Sequence, residues 1–249
     1  MAVKRTRRPL YFDFLLDLFF PMRCPVCDKV IGWNKRFCSE CESKLEYAEP
    51  VPWQAVFHAK IGEDEPEFDR AEALFRYEGT ARKAVLSLKY RGSRAVAEYT
   101  AERLPEKLFT DGLEPWDIDI VIPVPMNIFK RLRRGYNQAE LFARELSRES
   151  GIRLETGYIS HRRKKVEQHK LSWRERLSSA KSTYCIRGKY AGKKPLAGKC
   201  VMLCDDIFTS GATVNSCAKL LKELGAEKVI VAVICYTPPK EDTVQKNVQ

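Results

Sequence analysis

The stretch from Val201 to Thr213, VMLCDDIFTSGAT, decides which fold the chain adopts. An apolar run stops at two adjacent aspartates, Asp205 and Asp206, and a loop of small residues follows at once. A buried strand that leads through a short loop into a helix is typical of parallel α/β sheets, in which ligands bind beyond the carboxyl ends of the strands. The sequence therefore predicts a ligand site around the two aspartates.

The small-residue loop has the composition of an anion site. It runs through Thr209, Ser210, Gly211, Ala212 and Thr213 into an amphipathic helix. Free backbone N–H groups and the helix dipole attract phosphate there, the glycine permits close approach and the hydroxyls can donate. Carboxylates repel an anion but bind sugar hydroxyls or magnesium, so a sugar 5-phosphate suits both halves. The alternative is a capped helix N-terminus without a ligand.

Other segments complete an α/β pattern. RAEALFRY, DIDIVIPVP and KVIVAVICY are strand-like, whereas the apolar spacing from Thr80 to Gly92, in Ala139–Leu146 and in Val214–Leu224 is helical. Near-continuous apolar strands that alternate with amphipathic helices predict a parallel sheet covered on both faces. Residues 160–195 are polar and basic, and we expect a mobile loop there with a short helix near Trp173.

Nine cysteines fall into two groups. Cys24, Cys27, Cys38 and Cys41 form two C-x2-C pairs, a spacing that suits a closed, structural zinc site. Disulfides are the alternative, but they fit poorly in a chain with five further cysteines. We expect those five to be small buried hydrophobes, and they are Cys185, Cys200, Cys204, Cys217 and Cys235.

The composition narrows the class of protein and of partner. Apolar residues make up 44% and charged residues 31%, and no apolar run reaches the length of a membrane span. The N-terminal YFDFLLDLFF contains two aspartates and no small-residue cleavage site, so we expect an amphipathic helix in a cytoplasmic protein. The formal charge of +11 favours anionic partners without choosing between nucleic acid and phosphorylated metabolites.

Several motifs occur in a telling order: FFPMRCPVC with FCSEC, RYEGTARKAVLSLKYRG, DIVIPVPM, RGYNQAELFARELS, RKKVEQHKLSWRERL and finally VMLCDDIFTSGAT. Together they resemble the ComF family, which is linked to competence and DNA uptake and joins a zinc ribbon to a phosphoribosyltransferase domain. The last motif looks like the phosphoribosyl-diphosphate signature of type I phosphoribosyltransferases. Two positions depart from the family pattern: Cys204 replaces an aliphatic residue, and LSSAKSTY after Arg176 lacks a frequent asparagine.

The resemblance implies a type I phosphoribosyltransferase fold with a small N-terminal zinc-ribbon segment. We expect a helix and zinc ribbon in residues 1–50, a linker in 51–70, the phosphoribosyltransferase-like domain in 71–240 and a disordered tail in 241–249. The implied ligands are 5-phosphoribosyl 1-diphosphate and magnesium, in addition to structural zinc. Competence proteins are the implied macromolecular partners.

The resemblance also implies roles for individual residues. The two aspartates would hold the ribose hydroxyls, the small-residue loop would hold the 5-phosphate, and Arg134 with Gly135 would bind the diphosphate. Lys89 and Arg91 are further candidates for the diphosphate, although a basic helix end capped by glycine explains them equally well. Arg134 and the metal would stabilise the charge of the departing diphosphate. The resemblance thus implies that Arg134, Asp205 and Asp206 are the catalytic residues.

A flexible lid is implied between Arg162 and Arg176, with Arg163 and Gln168 inside it; a solvated basic loop is the alternative. Two other functions stay open. One is a non-catalytic sensor of phosphoribosyl diphosphate or of a nucleotide on the same fold. The other is a nucleic-acid-binding accessory protein, in which the zinc ribbon and the basic stretch bind single-stranded DNA. The aromatic residues that could stack on bases are Trp53, Trp116, Trp173 and Tyr136.

Overall fold

The four segments predicted as strands form one parallel sheet in the computed structural model, which describes residues 21–49, 53–61, 65–109, 117–162 and 183–238. The strands are β1 (Arg70–Arg76), β2 (Ile120–Pro123), β3 (Ile159–His161), β4 (Tyr184–Ile186), β5 (Cys200–Phe208) and β6 (Lys228–Tyr236). The sheet has the order β1-β6-β5-β2, and its three strand pairs are all parallel. The α/β fold predicted from the apolar runs is confirmed.

Seven α-helices are described. They are α1 (Ser39–Glu42), α2 (Trp53–Ile61), α3 (Gly79–Arg91), α4 (Arg94–Phe109), α5 (Ile128–Arg134), α6 (Gln138–Ser150) and α7 (Ala212–Glu223). Helix α2 lies inside residues 51–70, so the prediction of a linker is wrong for that part of the segment. Its apolar residues Trp53, Val56 and Phe57 recur at helical spacing and are buried, and this packing orders the helix.

Two apolar layers cover the sheet, one on each face. Along β5, Met202 and Cys204 belong to the layer that includes α3, α4 and α6, whereas Val201 and Leu203 belong to the layer that includes α2 and α7. Alternate residues of a strand point to opposite faces, so a strand covered on both sides must be apolar throughout. This explains why β2, β5 and β6 are near-continuous apolar runs, whereas β1, at the edge of the sheet, also carries charged residues.

Residues 21–49, here called the cysteine-bearing segment, share their apolar core with the larger domain. Phe37 is fully buried, and its ring lies 4.9 Å from that of Tyr99 on α4 in an edge-on contact. Arg36 is almost fully buried and pairs through Nε with Glu98 and through Nη2 with Glu102, both at 2.8 Å. The segment therefore docks through both an apolar contact and a buried cation.

The polar segment 160–195 is partly regular. Strands β3 and β4 pair antiparallel, and a 3-10 helix, Gly188–Tyr190, follows. Ile159 is buried and aligned with Ile186, so an apolar pair stabilises the hairpin. The surrounding polar residues make this pair hard to recognise in the sequence. The prediction of a mobile loop is therefore wrong for these parts of the segment.

Three predicted features lie outside the described residues: the N-terminal helix at YFDFLLDLFF, the lid with its short helix near Trp173 except for its first residue Arg162, and the tail in 241–249. Within the described part of the chain, no helix is both long enough and apolar enough to cross a bilayer.

Candidate functional site

Strand β5 continues past the two aspartates. Pairing with β6 extends through Ile207 opposite Cys235 and Phe208 opposite Tyr236. The aspartates therefore lie within the strand, whereas the sequence predicts that the strand ends before them. The polar residues do not break the strand because its backbone is paired with β6 regardless of the side chains. Consequently, both carboxylates are fixed by the sheet.

A cavity of about 260 Å³ opens at this end of the sheet. It brings together five of the predicted site residues, namely Asp205, Asp206, Thr213, Arg134 and Lys89. The remaining lining residues are Val124, Pro125, Met126, Asn127, Lys130, Asn137, Gln138, Ala139, His161 and Tyr184. The cavity thus combines two carboxyl groups with three basic side chains from helices α3 and α5.

Five other predicted residues do not line this cavity. Thr209, Ser210, Gly211 and Ala212 form the turn between β5 and α7, and Gly135 is the left-handed cap that ends α5, with φ of 81°. The glycine of the turn has φ of 78°, and a Cβ there would lie 2.7 Å from Cζ of Phe208. The turn therefore needs glycine for its own packing, whether or not an anion binds.

Lys89 contacts an aspartate of the cavity. Its Nζ lies 3.1 Å from Oδ2 of Asp206, and both side chains are more than four-fifths buried. The position of Lys89 in the cavity follows from the last turn of α3, which ends in left-handed Gly92. Arg91, the other candidate in this helix, instead contacts Pro25 and Asp28 of the cysteine-bearing segment. The prediction that Arg91 reaches the cavity is wrong.

Asp205 is protonated more readily than an ordinary aspartate. Burial, reinforced by the charge of Asp206, raises its pKa to about 8. The backbone N–H of Asp206 donates to Oδ1 of Asp205 at 2.9 Å and opposes this effect only in part. Burial thus favours the neutral form of Asp205, while the ammonium of Lys89 lies against Asp206.

Arg134 has an unmet hydrogen-bonding group. Its Nη1 donates to Oε1 of Gln138 at 3.2 Å, and its guanidinium carbon lies 5.5 Å from the ring centre of Tyr90. Its Nε is buried and has no hydrogen-bond partner among the described residues. A buried, unpaired donor of a permanent cation is costly, and an anion in the cavity would satisfy it.

Sequence reasoning missed the two asparagines that build the wall between β2 and α6. The side chain of Asn127 accepts from Phe129 N at 2.9 Å and caps α5. Asn137 is buried, donates to the carbonyl of Val124 at 2.9 Å and accepts from Ala139 N at 3.2 Å. The available signal was an asparagine directly before each helical segment, which is the preferred N-cap.

Four aromatic residues were candidates for stacking on bases. The structure describes two of them, and neither presents a free ring face in its present position. Trp53 is buried, with its ring 5.0 Å from that of Phe208 and 5.4 Å from that of Tyr236. Tyr136 is partly buried and donates its hydroxyl to the carbonyl of Leu88 at 2.5 Å. Trp116 and Trp173 lie outside the described residues.

The four N-terminal cysteines form a metal site. The sulfurs of Cys24, Cys27, Cys38 and Cys41 all lie within 4.8 Å of one another, and those of Cys27 and Cys38 are 3.6 Å apart. Tetrahedral zinc with bonds of about 2.3 Å holds its sulfurs about 3.8 Å apart, so the donor set fits zinc. No disulfide joins them, and four thiolates leave no open coordination position.

The Cys24 thiol ionises at a lower pH than an ordinary cysteine thiol. Burial opposes its ionisation, but backbone hydrogen bonds from Cys38, Cys27 and Val26 outweigh burial and lower its pKa to about 7. Among the other five cysteines, four are buried as predicted. Cys185 in β4 is only partly buried, as are both other residues of that strand.

We predict that the protein binds one zinc ion per chain and that Cys24→Ser abolishes this binding. Because the segment shares its core with α4, the substitution should also lower the melting temperature of the whole domain, by several degrees or more. Metal analysis and thermal unfolding measure both effects. Cys185→Ser, outside the cluster, is the matched control and should retain zinc. Carefully purified wild-type protein without zinc would contradict the assignment.

Comparison with family models gives two matches in separate parts of the chain. Residues 95–249 match the phosphoribosyl transferase domain, and residues 15–51 match the double zinc ribbon domain. The first match covers the aspartates and the turn into α7, and the second covers all four clustered cysteines.

Individual relatives match over most of their length. Competence protein F from Haemophilus influenzae is 27% identical over 211 residues, which cover 84% of this chain and 87% of that protein. DNA utilization protein YhgH from Escherichia coli K12 is 25% identical over 228 residues, covering 86% and 90%. Among solved structures, a purine phosphoribosyltransferase from Pyrococcus horikoshii matches with 19% identity and a TM-score of 0.34, over 57% of this chain and 83% of that one.

Proposed function

Because this chain belongs to the phosphoribosyl transferase domain family and shares the two-domain arrangement of the ComF family, we propose that its cavity binds 5-phosphoribosyl 1-diphosphate together with magnesium. The observation that supports this most directly is the composition of the cavity wall. Two carboxyl groups, Asp205 and Asp206, face three cations, Lys89, Lys130 and Arg134, in one small space. Carboxyl groups suit the ribose hydroxyls, and the cations suit the phosphates.

In this proposal each end of the donor has its own partner. The 5-phosphate binds at the first turn of α7, where Thr213 lines the cavity and the helix dipole attracts an anion. The diphosphate binds toward α5, where Arg134 has an unpaired Nε and Lys130 adds a second cation. The ribose lies between them, beside the aspartates.

We further propose that the protein transfers the phosphoribosyl group. Magnesium, when it is bound with the diphosphate, neutralises part of the leaving group's charge. Arg134 holds the diphosphate oxygens as charge develops on them, and the aspartates keep the sugar fixed through its hydroxyls. The competing function is a sensor that binds the donor and does not turn it over.

We predict that Asp205→Asn combined with Asp206→Asn weakens donor binding at least about a hundredfold, because hydrogen bonds from the sugar hydroxyls to carboxylates are replaced by weaker ones to neutral amides. Isothermal titration calorimetry with phosphoribosyl diphosphate and magnesium measures the change. The control is Asp119→Asn, since Asp119 accepts from Cys200 N at 2.9 Å, at the opposite end of β5. Unchanged affinity in a folded double variant would refute the assignment of the cavity.

Replacing Arg134 should separate the enzyme from the sensor. In Arg134→Gln we expect donor affinity within about tenfold of wild type, about 1.4 kcal/mol, but turnover reduced by about two orders of magnitude. The exposed neighbour Arg133→Gln serves as control. Diphosphate release in the presence of a panel of nucleobases and other acceptors is the measurement. If the intact protein binds the donor yet releases no diphosphate with any acceptor, the sensor function replaces the transferase function.

A second proposal concerns single-stranded DNA, and helix α5 supports it. The helix has no buried residue, and the side chains of Phe129 and Leu132 are 75% and 74% exposed. Lys130, Arg131 and Arg133 are exposed on the same helix. An exposed ring among cations can stack on a base while its neighbours bind phosphates. The names of the relatives above, which refer to competence and to DNA utilization, agree with such a role in DNA uptake.

We predict that Phe129→Ala weakens binding of a fluorescent oligothymidylate about tenfold, whereas wild-type affinity falls steeply with added salt. Fluorescence anisotropy at two salt concentrations gives both results. Phe129→Leu keeps an apolar side chain without the ring, and it should lose nearly as much affinity. Equal affinity in all three proteins, or affinity that does not respond to salt, would rule out a stacking site on α5.

A further inference from the structure

Helix α3 is held at its N-terminus by the cysteine-bearing segment. The carboxylate of Glu46 accepts hydrogen bonds from Thr80 N at 3.0 Å and from Ala81 N at 2.9 Å. Glu78, at the N-cap position itself, makes no side-chain capping bond. The orphan N–H groups that every helix N-terminus presents are therefore satisfied from outside the helix, by a residue close in sequence to Cys41.

The same segment also holds the C-terminal turn of α3. The guanidinium of Arg91 donates to the carbonyl of Pro25, and its Nη1 lies 3.4 Å from Oδ1 of Asp28. Pro25 lies between Cys24 and Cys27. Asp28 follows Cys27 in the left-handed conformation, with φ of 64°. Arg91 thus contacts the turn from Cys24 to Asp28, here called the zinc knuckle, and the four-cysteine site fixes the shape of this turn.

The secured turn carries a residue of the cavity. Lys89 stands two positions before Arg91, and its ammonium lies 3.1 Å from the carboxylate of Asp206. On the other side of the helix end, the hydroxyl of Tyr136 donates to the carbonyl of Leu88, and Nε2 of Gln138 lies 3.5 Å from the carbonyl of Lys89. The last turn of α3 is therefore bracketed by the zinc knuckle and by the start of α6.

We infer that Arg91 is a positioning residue through which the zinc knuckle sets the place of Lys89 in the cavity. Metal binding fixes the knuckle, the knuckle fixes Arg91, and the turn that contains Arg91 presents Lys89 to Asp206 and to the anion that binds there. Zinc occupancy and donor affinity are then linked, although the four thiolates make no contact with the donor. The inference rests on the proposed donor site, and it adds a function for the zinc-bearing segment beyond its own folding.

The contacts of Arg91 suit such a role because they contribute little to overall stability. Arg91 and Asp28 are both about half exposed, and exposed ion pairs are screened by water. Removing Arg91 should therefore leave the fold and the bound zinc intact while loosening one turn. A purely structural residue would show the opposite pattern, with loss of stability and unchanged affinity in the folded fraction.

The test compares Arg91→Ala with Lys83→Ala, an exposed residue on the same helix. Calorimetry with phosphoribosyl diphosphate and magnesium should show about fivefold weaker binding in Arg91→Ala and wild-type binding in Lys83→Ala, with full zinc content in both. Arg91→Lys keeps the charge opposite Asp28 and should recover part of the affinity. Partial removal of zinc by a chelator should weaken binding in wild type and have a smaller effect in Arg91→Ala. Equal affinities in wild type and Arg91→Ala would overturn the inference.

A measurement without ligand distinguishes this inference from the proposed function. Hydrogen exchange of the amides of Lys89, Tyr90 and Arg91 should accelerate in Arg91→Ala and in zinc-depleted wild type, but not in Lys83→Ala. If wild type fails to bind the donor while this pattern appears, the proposed function fails and the positioning of the helix end stands. If wild type binds the donor and the exchange rates are unchanged, the inference fails and the proposed function stands.

Discussion

The parallel pairing of β5 with β6 is the constraint on which the site depends. The pairing continues from Cys200 opposite Lys228 to Phe208 opposite Tyr236, beyond the point at which the side chains of β5 become polar. The backbone hydrogen bonds of this pair hold the two aspartates in a strand, with both apolar layers already in place around it. Their carboxyl groups are consequently held partly out of water, which explains both the raised pKa of Asp205 and the close pairing of Asp206 with Lys89.

Several features were predictable because each depends on a local pattern. Near-continuous apolar runs identified β2, β5 and β6, since only a strand covered on both faces excludes polar residues throughout. The edge strand β1 was identified from RAEALFRY, in which charged residues alternate with apolar ones. The spacing of the clustered cysteines identified the metal site, because each C-x2-C turn brings two sulfurs to one point. The adjacent aspartates identified the cavity, because ligands of parallel sheets bind at the carboxyl ends of the strands.

Features that depend on packing between distant segments could not be predicted in this way. The prolines before helix α2 predict a linker, but Phe57 packs against Phe68, with ring centres 5.8 Å apart, and such a contact with a distant segment leaves no local pattern. Lys89 and Arg91 were indistinguishable as basic residues of one helix end, yet one contacts Asp206 and the other the zinc knuckle. Only the docking of the cysteine-bearing segment decides which of the two enters the cavity.

The charges in the cavity bear on how the proposed magnesium-bound donor would enter. The pKa of Asp205 is raised, which disfavours its charged form, and the carboxylate of Asp206 is paired with Lys89, so the pair offers little free charge to a metal ion. Lys130 and Arg134 remain as an excess of positive charge that favours an anion. In the proposed function, therefore, the diphosphate supplies the negative charge that magnesium requires, and the metal enters with the donor instead of preceding it. The basic side chains then serve recognition of the donor, and the aspartates serve the sugar hydroxyls as hydrogen-bond acceptors.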